Sequence, residues 1–569
     1  MGTEAVVTVR RLKRNAFALV PGFIFICASA ALASVPPNFS GGSGTAESPY
    51  YISSSEDLSA LAQRVMKRQS HHGLAYRSAH YFQTADIDLG GIPAWVPIGL
   101  PRLEKTHRSF RGVYDGRGHT IANVHYQWYR HPYTIYLYTT SGDVAEDQYY
   151  GLFGVVAGDG EKSGIVRNVR VKTRSLYSEI PNKRVFFGMI AGALWGGKIE
   201  GCSVEGGCAS VVAVAGNNYR MKDRLYRIGG IVGEVDTGRI ENCLNGLDLY
   251  SFIEDTYLYM GGIVGKLMKG RVTSCVNKGR IHAVGGMGGG IVGLSWGERI
   301  ESSVNLADVE TYSSVSNTLS GGIYAGGWSD VLQCVNEGRI AAISRGGFGC
   351  AGGLVGSMSD NVLESSQNRG NVYVEARREA PRSGRMAKAS RYYTPREIRA
   401  RAYGGGLVGE MNGGRLRNSA NMGDVSGVLE AEGISSDIFL GGIAGYCVPE
   451  LNCDLLLENA LNVGAVIIEK MPVDANDAMG GIVGHWFEDP KKARVLGCYW
   501  LWDGQGEAHG VGAGLSSADT ATTPLNAEAM RRRESFAGWD FEKMWRGPEG
   551  GMIAPEPASL PRRSFEYER

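Results

Sequence analysis

Asp86, Asp88 and Asp115 are the carboxylates in this chain that could serve glycoside cleavage, a reaction that uses one carboxyl group as acid and a second as base or nucleophile. Their neighbours favour another reading. Asp86 and Asp88 flank a turn and Asp115-Gly116 reads as a tight corner, where aspartate bonds its own backbone. Gly288–Gly293 and Gly404–Gly409 both satisfy G-x-G-x-x-G, but that spacing signals a dinucleotide site only between a strand and a helix. Here the same segment recurs along the chain, so its glycines read as structural. Lys266 follows Gly265, yet Leu267 comes next and Met260 stands where a P-loop begins with glycine. No C-x-x-C occurs, and the glycine clusters are followed by Ile or Leu where a calcium-binding nonapeptide carries aspartate. No cofactor and no metal are expected.

Two segments carry residues suited to recognition. Residues 124–150 hold His125, Tyr126, Trp128, Tyr129, His131, Tyr133, Tyr136, Tyr138, Tyr149 and Tyr150. Aromatic rings beside polar neighbours suit stacking on sugars or contact with a protein. The plainer reading is a β-hairpin packed on the flank of the fold, its tyrosines half-buried. Residues 375–401 hold Arg377, Arg378, Arg382, Arg385, Lys388, Arg391, Arg396, Arg399 and Arg401 against Glu375, Glu379 and Glu397, a local net charge of +6. Such a patch attracts anionic polysaccharide or an acidic protein; the plainer reading is a solvated loop. The candidate contact residues are Tyr126, Trp128, Tyr129, Tyr133 and Tyr136 in the first segment. In the second they are Arg377, Arg378, Arg382, Arg385, Lys388 and Arg391.

The elements that hold these segments repeat. Gly-Gly-Ile-Val-Gly or a near variant stands at Gly229–Gly233, Gly261–Gly265, Gly289–Gly293, Gly352–Gly356, Gly405–Gly409 and Gly480–Gly484. Looser copies stand at Gly151–Gly154, Gly188–Gly192, Gly321–Gly326 and Gly441–Gly445. The copies are about 37 residues apart on average. About ten residues beyond most anchors come an aliphatic residue, a polar pair, a small residue and an asparagine, as in Ile240 to Asn245. The small site holds Cys202, Cys243, Cys275, Ser303, Cys334, Ser366, Ser419 and Cys498, and its restricted size points inward. The asparagines are Asn245, Asn277, Asn305, Asn336, Asn368, Asn421 and Asn462. Apolar runs of four or five residues punctuated by glycine favour strands. Strand-and-turn repeats of this length stack as a parallel β-solenoid, in which asparagines at one position can bond from coil to coil. Two or three opening coils and about ten repeats make a rod on the order of 60 Å at the usual strand spacing.

Composition narrows the class. The chain has 569 residues, of which 82 are glycine and 19 proline, with 43% apolar residues and a formal charge of +1. That excludes collagen, wholesale disorder and a general nucleic-acid binder. Arg10, Arg11, Lys13 and Arg14 precede the apolar stretch Ala16 to Ala33, and Ala31-Leu32-Ala33 offers a cleavage site. Residues 1–33 are therefore read as a signal peptide, and a secreted or cell-surface location is expected, with no transmembrane segment after cleavage. Cys447 and Cys453 flank a short loop with Pro449, which suits a disulfide in an exported protein. Ser53 followed by Glu56 resembles a capping box, and Leu58, Leu61 and Val65 form a helical stripe, so a short capping helix is expected near 55–68.

Gly-Gly-Ile-Val-Gly followed by Ile-Glu-Asn-Cys is similar to the GLUG motif of bacterial secreted and surface proteins. Pro49-Tyr50-Tyr51-Ile52, Glu56-Asp57-Leu58, Asp86-Ile87-Asp88-Leu89, Trp95 to Gly99, Phe110-Arg111-Gly112 and Asp115 to Ile121 look like the opening coils of that family. Gly538-Trp539-Asp540-Phe541 and Trp545 resemble its closing coil. The resemblance implies an all-β, right-handed parallel β-helix, with opening coils over 34–150, repeats over 151–500 and a closing coil and tail over 501–569. Some proteins with such repeats resemble immunoglobulin-A-cleaving zinc metalloproteases, whose H-E-x-x-H motif matches none of the ten histidines here. The expected work is non-enzymatic adhesion or binding of a glycan or a host or surface protein. The alternatives are a carbohydrate-active enzyme and a structural envelope protein.

Overall fold

Short apolar runs interrupted by glycine cannot build long helices, and the computed structural model of the chain is accordingly almost all strand. It describes residues 39–71, 73–100, 108–126, 135–138, 144–158, 163–173, 175–181, 184–214, 225–252, 257–379, 399–432, 434–449, 453–487, 493–504, 509–514, 521–548 and 552–560. These lie in the compact unit Asn38–Arg569. The expected signal segment 1–33 is outside the described residues. No helix among the described residues is long and apolar enough to cross a membrane.

The unit is a parallel β-solenoid. One coil shows the plan: Tyr257–Gly261, Val264–Leu267, Arg271–Thr273, Val276–Asn277 and Ile281–Val284 follow one another around the axis. Each pairs in parallel with its counterpart one coil on, as Tyr259 with Met287 and Asn277 with Asn305. We call the first of these the pre-anchor strand, the second the post-anchor strand and the last the back strand. The pre-anchor strands form an eleven-stranded sheet and the back strands a nine-stranded one; the others join a sheet of 33 strands. The core is the space these enclose, filled by alternate residues such as Leu258, Met260, Ile263 and Val264, none of them exposed. Each such side chain contributes about 1.5–3 kcal/mol by leaving water.

The anchor glycines have three separate causes. A Cβ on Gly261 would lie 2.1 Å from the Val264 carbonyl oxygen, because the chain reverses sharply between the two strands. A Cβ on Gly262 would lie 2.3 Å from Cγ of Asn277, whose amide covers it. A Cβ on Gly265 would lie 2.5 Å from the Ile228 backbone nitrogen, because the post-anchor strand presses on the pre-anchor strand of the preceding coil. Only a missing side chain permits such approaches.

The asparagines form a continuous buried ladder. Nδ2 of Asn245, Asn277, Asn305, Asn336, Asn368 and Asn421 each donates to Oδ1 of the next asparagine in the series, ending at Asn462, over 2.7–2.8 Å. Each amide also donates to the carbonyl two residues on, as Asn305 does to Ala307 at 2.7 Å. Val204 precedes the ladder in register and Trp500 ends it. The residue before the small site is left-handed in coil after coil, with φ of 53° at Asn242, 53° at Ser274, 49° at Ser302 and 54° at Gln333. That corner turns the small residue inward, and Cys243, Cys275, Ser303 and Cys334 are at most 1% exposed.

Two local expectations need correction. Cys447 does not bond to Cys453: it carries a free thiol. Strand alternation over Ala444–Val448 turns its side chain into the core, beside Met411 and Trp486 in register, and burial raises its pKa. The helix spans Ser55–Met66, and its cap is Ser54, one residue later than expected, whose hydroxyl accepts from the Asp57 amide at 3.2 Å. Leu58, Leu61 and Val65 are fully buried. At the other end Tyr499, Phe536, Trp539 and Trp545 form an apolar cover over Ala420 and Leu461.

Candidate functional site

The three aspartates hold turns. Asp86 accepts from the Thr120 amide at 2.8 Å, and Asp88 from the Gly90 amide and the Asn123 side chain, each at 2.8 Å. Asp115 accepts from the Arg117 amide at 2.9 Å and from Arg167 Nε at 2.8 Å. All three carboxylates are thus committed to the opening coils.

The aromatic segment divides. Tyr126 is 3% exposed, with its ring edge-on to Tyr150 at 5.8 Å and to Phe187 at 6.5 Å. It is a core residue and not a contact residue, because Val124 and Tyr126 still belong to the coil wall. Tyr136 lies on Ile135–Tyr138, which pairs antiparallel with Val144–Tyr150. That hairpin begins the eleven-stranded sheet. Trp128, Tyr129 and Tyr133 lie outside the described residues.

The basic segment divides likewise. Arg377 meets Glu375 at 2.5 Å and Glu430 at 3.0 Å, and Arg378 donates to the Gly346 carbonyl at 3.0 Å. Both belong to the back strand Val372–Glu379, and these partners hold them to the solenoid. Arg382, Arg385, Lys388 and Arg391 lie outside the described residues.

One stretch of each segment leads along the chain into a pre-anchor strand. Each enters the solenoid where a pre-anchor strand begins: residues 139–143 precede Val144–Tyr150, and residues 380–398 join a back strand to Arg399–Gly405. Seven steps of the eleven-stranded sheet separate those two strands, about 34 Å at the usual spacing.

A second site was not legible as such. The residue two before each anchor and the residue just after it face each other across the anchor corner, outside the core. Arg227 and Glu234 form an ion pair there. One coil on, Lys266 Nζ lies 5.6 Å from the centre of the Tyr259 ring. Farther along, Tyr446 stacks on Tyr403 at 4.9 Å, and His485 lies 4.6 Å from Phe439. Register pairing carries both sides from coil to coil, through Tyr259, Met287 and Leu319 on one wall and Lys266, Leu294 and Gly326 on the other. The result is a largely filled groove along the solenoid: Arg227, Glu234, Lys266, Leu294 and Tyr403 are each under 9% exposed. Met66 and Leu100 pack against Tyr149 and Phe186 at its N-terminal end.

Its first third is ionic. Asp147, 2% exposed, meets Arg184 at 3.2 Å, and the Arg227 guanidinium lies 4.6 Å over the Phe186 ring. Burial pushes the Asp147 carboxyl up to about 6 against the pull of Arg184 and Arg227, and raises Glu234 against the pull of Arg227. Burial, with Arg227 adding repulsion, pulls the Lys266 ammonium down to about 8. Its Nζ lies 4.1 Å over the Trp296 ring. Trp296 stacks in turn on Trp328 at 5.3 Å and 15°. The arrangement can receive an anion beside an aromatic platform. The signal for it was the residue type flanking each anchor, and Lys266 was weighed only as part of a phosphate loop.

A stability profile tests the environment of Lys266. Its folded pKa lies below the ordinary 10.5, so between about 8 and 10.5 the unfolded chain holds more protons than the folded one. Stability then rises with pH across that window. Lys266→Met should flatten this part of the profile and leave the rest alone. Parallel profiles for the two proteins would refute the assignment.

Comparison with known proteins adds the following. Over 192 residues, 33% of its length, the chain is 29% identical to a protein of Evansella cellulosilytica provisionally described as a Gly-rich membrane protein, and the match spans 15% of that protein. The chain also superposes on the crystal structure of a provisionally assigned immunoglobulin A1 protease from Bacteroides ovatus. That match covers 92% of this chain and 96% of the other, at 15% identity and a TM-score of 0.28. No family model matches the chain.

Proposed function

We propose that the chain is an exported scaffold of the GLUG type that binds glycans or surface proteins and works without catalysis. The observation that supports this most is that two insertions break an otherwise regular solenoid. The repeat residues already have structural partners, whereas 127–143 and 380–398 interrupt the repeat. Loops on a rigid scaffold are the usual carriers of recognition. The n-region, apolar stretch and cleavage motif of residues 1–33 support export.

The test is an array of glycans and matrix proteins probed with the mature chain, with a form lacking 380–398 and with a Trp128→Ala, Tyr129→Ala form. The loop deletion should remove salt-sensitive binding to anionic partners, because exposed charges are screened over about 8–10 Å at physiological ionic strength. The aromatic change should remove binding that salt does not affect. Both forms should melt like the parent. The reading fails if neither form alters binding that the parent shows.

A further inference from the structure

The middle of the groove carries two features that the repeat does not need. The first is the Trp296–Trp328 pair. Trp328 is 54% exposed, and burying an indole face is worth more to a folding chain than stacking it in solvent. Register places Ser359 beyond Trp328 in the next coil, so a small side chain stands on the indole's open side. Two residues before it, in the wall row of Lys266 and Leu294, stands Gly326. A Cβ there would meet only the ends of Leu319 and Met287, at 3.4 and 3.6 Å. Gly326 is therefore not imposed by backbone contact as the anchor glycines are, and the ends of Leu319 and Met287 lie over it. The next residue in that row is Ser357, whose hydroxyl donates to Glu410 at 3.0 Å.

The second feature is Lys266. It is 7% exposed, and among the described residues no acceptor lies within hydrogen-bond distance of Nζ. Nζ itself keeps an edge open to solvent, so an anion can reach it, while burial of the rest of the side chain carries a desolvation cost. The Trp296 and Tyr259 faces offset part of that cost. Glu234, the carboxylate one coil back, is taken by Arg227. The corner segments 236–239, 268–271 and 296–299 beside this wall add four cationic residues against two carboxylates. Across the groove Tyr257, 57% exposed, stands on the same face of its strand as Tyr259.

We propose that this stretch of groove binds an acidic polysaccharide, with a sugar ring on the open face of Trp328 and an anionic group of the same chain at Lys266. The apolar face of a pyranose matches an indole face, and the hydroxyl groups at its rim match Ser357 and Glu410. Lys266 and Trp328 are two coils apart, about 10 Å along the axis, so one glycan chain laid along the groove reaches both. The assignment rests on the reading of the chain as a glycan-binding scaffold and places the site in the groove instead of the insertions.

Calorimetric titration of the mature protein with polygalacturonate, dextran sulfate and unsubstituted dextran tests it. The parent should bind at least one of the two acidic polymers and prefer it to dextran. Trp328→Ala and Lys266→Met should each weaken that binding by at least about tenfold, the loss expected of one stacked ring or one charged hydrogen bond. Trp328→Ala should melt close to the parent. Binding to polygalacturonate alone or to dextran sulfate alone, with this pattern, supports the site and says whether carboxylate or sulfate is received. Unchanged affinity in Trp328→Ala and Lys266→Met overturns it. Binding that is lost only when 380–398 is removed overturns the groove while leaving the insertion reading standing. A parent that binds none of the three polymers also overturns it.

Discussion

Asn305→Leu should lower the urea midpoint more than any other substitution of one exposed-looking polar residue in the repeats. The side chain is fully buried and joins Asn277 to Asn336 at 2.8 and 2.7 Å. Leucine has a similar shape and removes both links. It leaves the Asn277 amide, the Asn336 carbonyl oxygen and the Ala307 carbonyl each short of a partner inside the core. At about 1–3 kcal/mol per buried group left unpaired, three such groups make the loss about 3–9 kcal/mol. Because each coil touches only its neighbours, hydrogen exchange should quicken first around residues 277–307 and 336. A midpoint and exchange pattern equal to the parent's would show that the asparagines are solvated and independent.

Gly321→Ala should be at least as damaging, and Gly326→Ala nearly silent. The two glycines belong to one anchor and differ only in what surrounds them. A Cβ on Gly321 would stand 1.9 Å from the Tyr324 carbonyl oxygen and 2.9 Å from the Gly356 amide nitrogen. Relief requires opening the corner while Tyr324 is fully buried, which belongs to the small class of substitutions that cost more than about 4 kcal/mol. A Cβ on Gly326 meets only side-chain ends at 3.4 Å and beyond. There alanine should leave stability unchanged or raise it by up to about 1 kcal/mol by restricting the unfolded chain. Equal midpoints for the two variants would refute the distinction between a glycine the backbone requires and one it does not.

Much of this was legible before any coordinates. A residue type that recurs at a fixed spacing reports a fixed environment, so seven asparagines in step announced a stacked, buried position. The small site at Cys202, Cys243 and Cys275 announced an inward one. Glycine at three anchor positions marked close backbone approach, although each proved to have its own cause. The insertions were visible as breaks in that rhythm. Individual side chains inside them were not: Tyr126 and Arg377 have the composition of a recognition segment but sit on coil strands, where burial in one case and ion pairing in the other decide their roles.

The order of the repeats, their strand character and the register of the ladder were determined by the sequence alone, because they depend on local period and on identical side chains meeting their own copies. The groove was decided only by the tertiary structure. Its walls come from residues seven apart on either side of an anchor, such as Arg227 and Glu234, and from residues a whole coil apart, such as Trp296 and Trp328. Whether those meet depends on how sharply the anchor turns and how closely one coil lies on the next. The Cys447 thiol shows the same limit: its distance in sequence from Cys453 allowed a disulfide, and the alternation of one strand turned it inward instead.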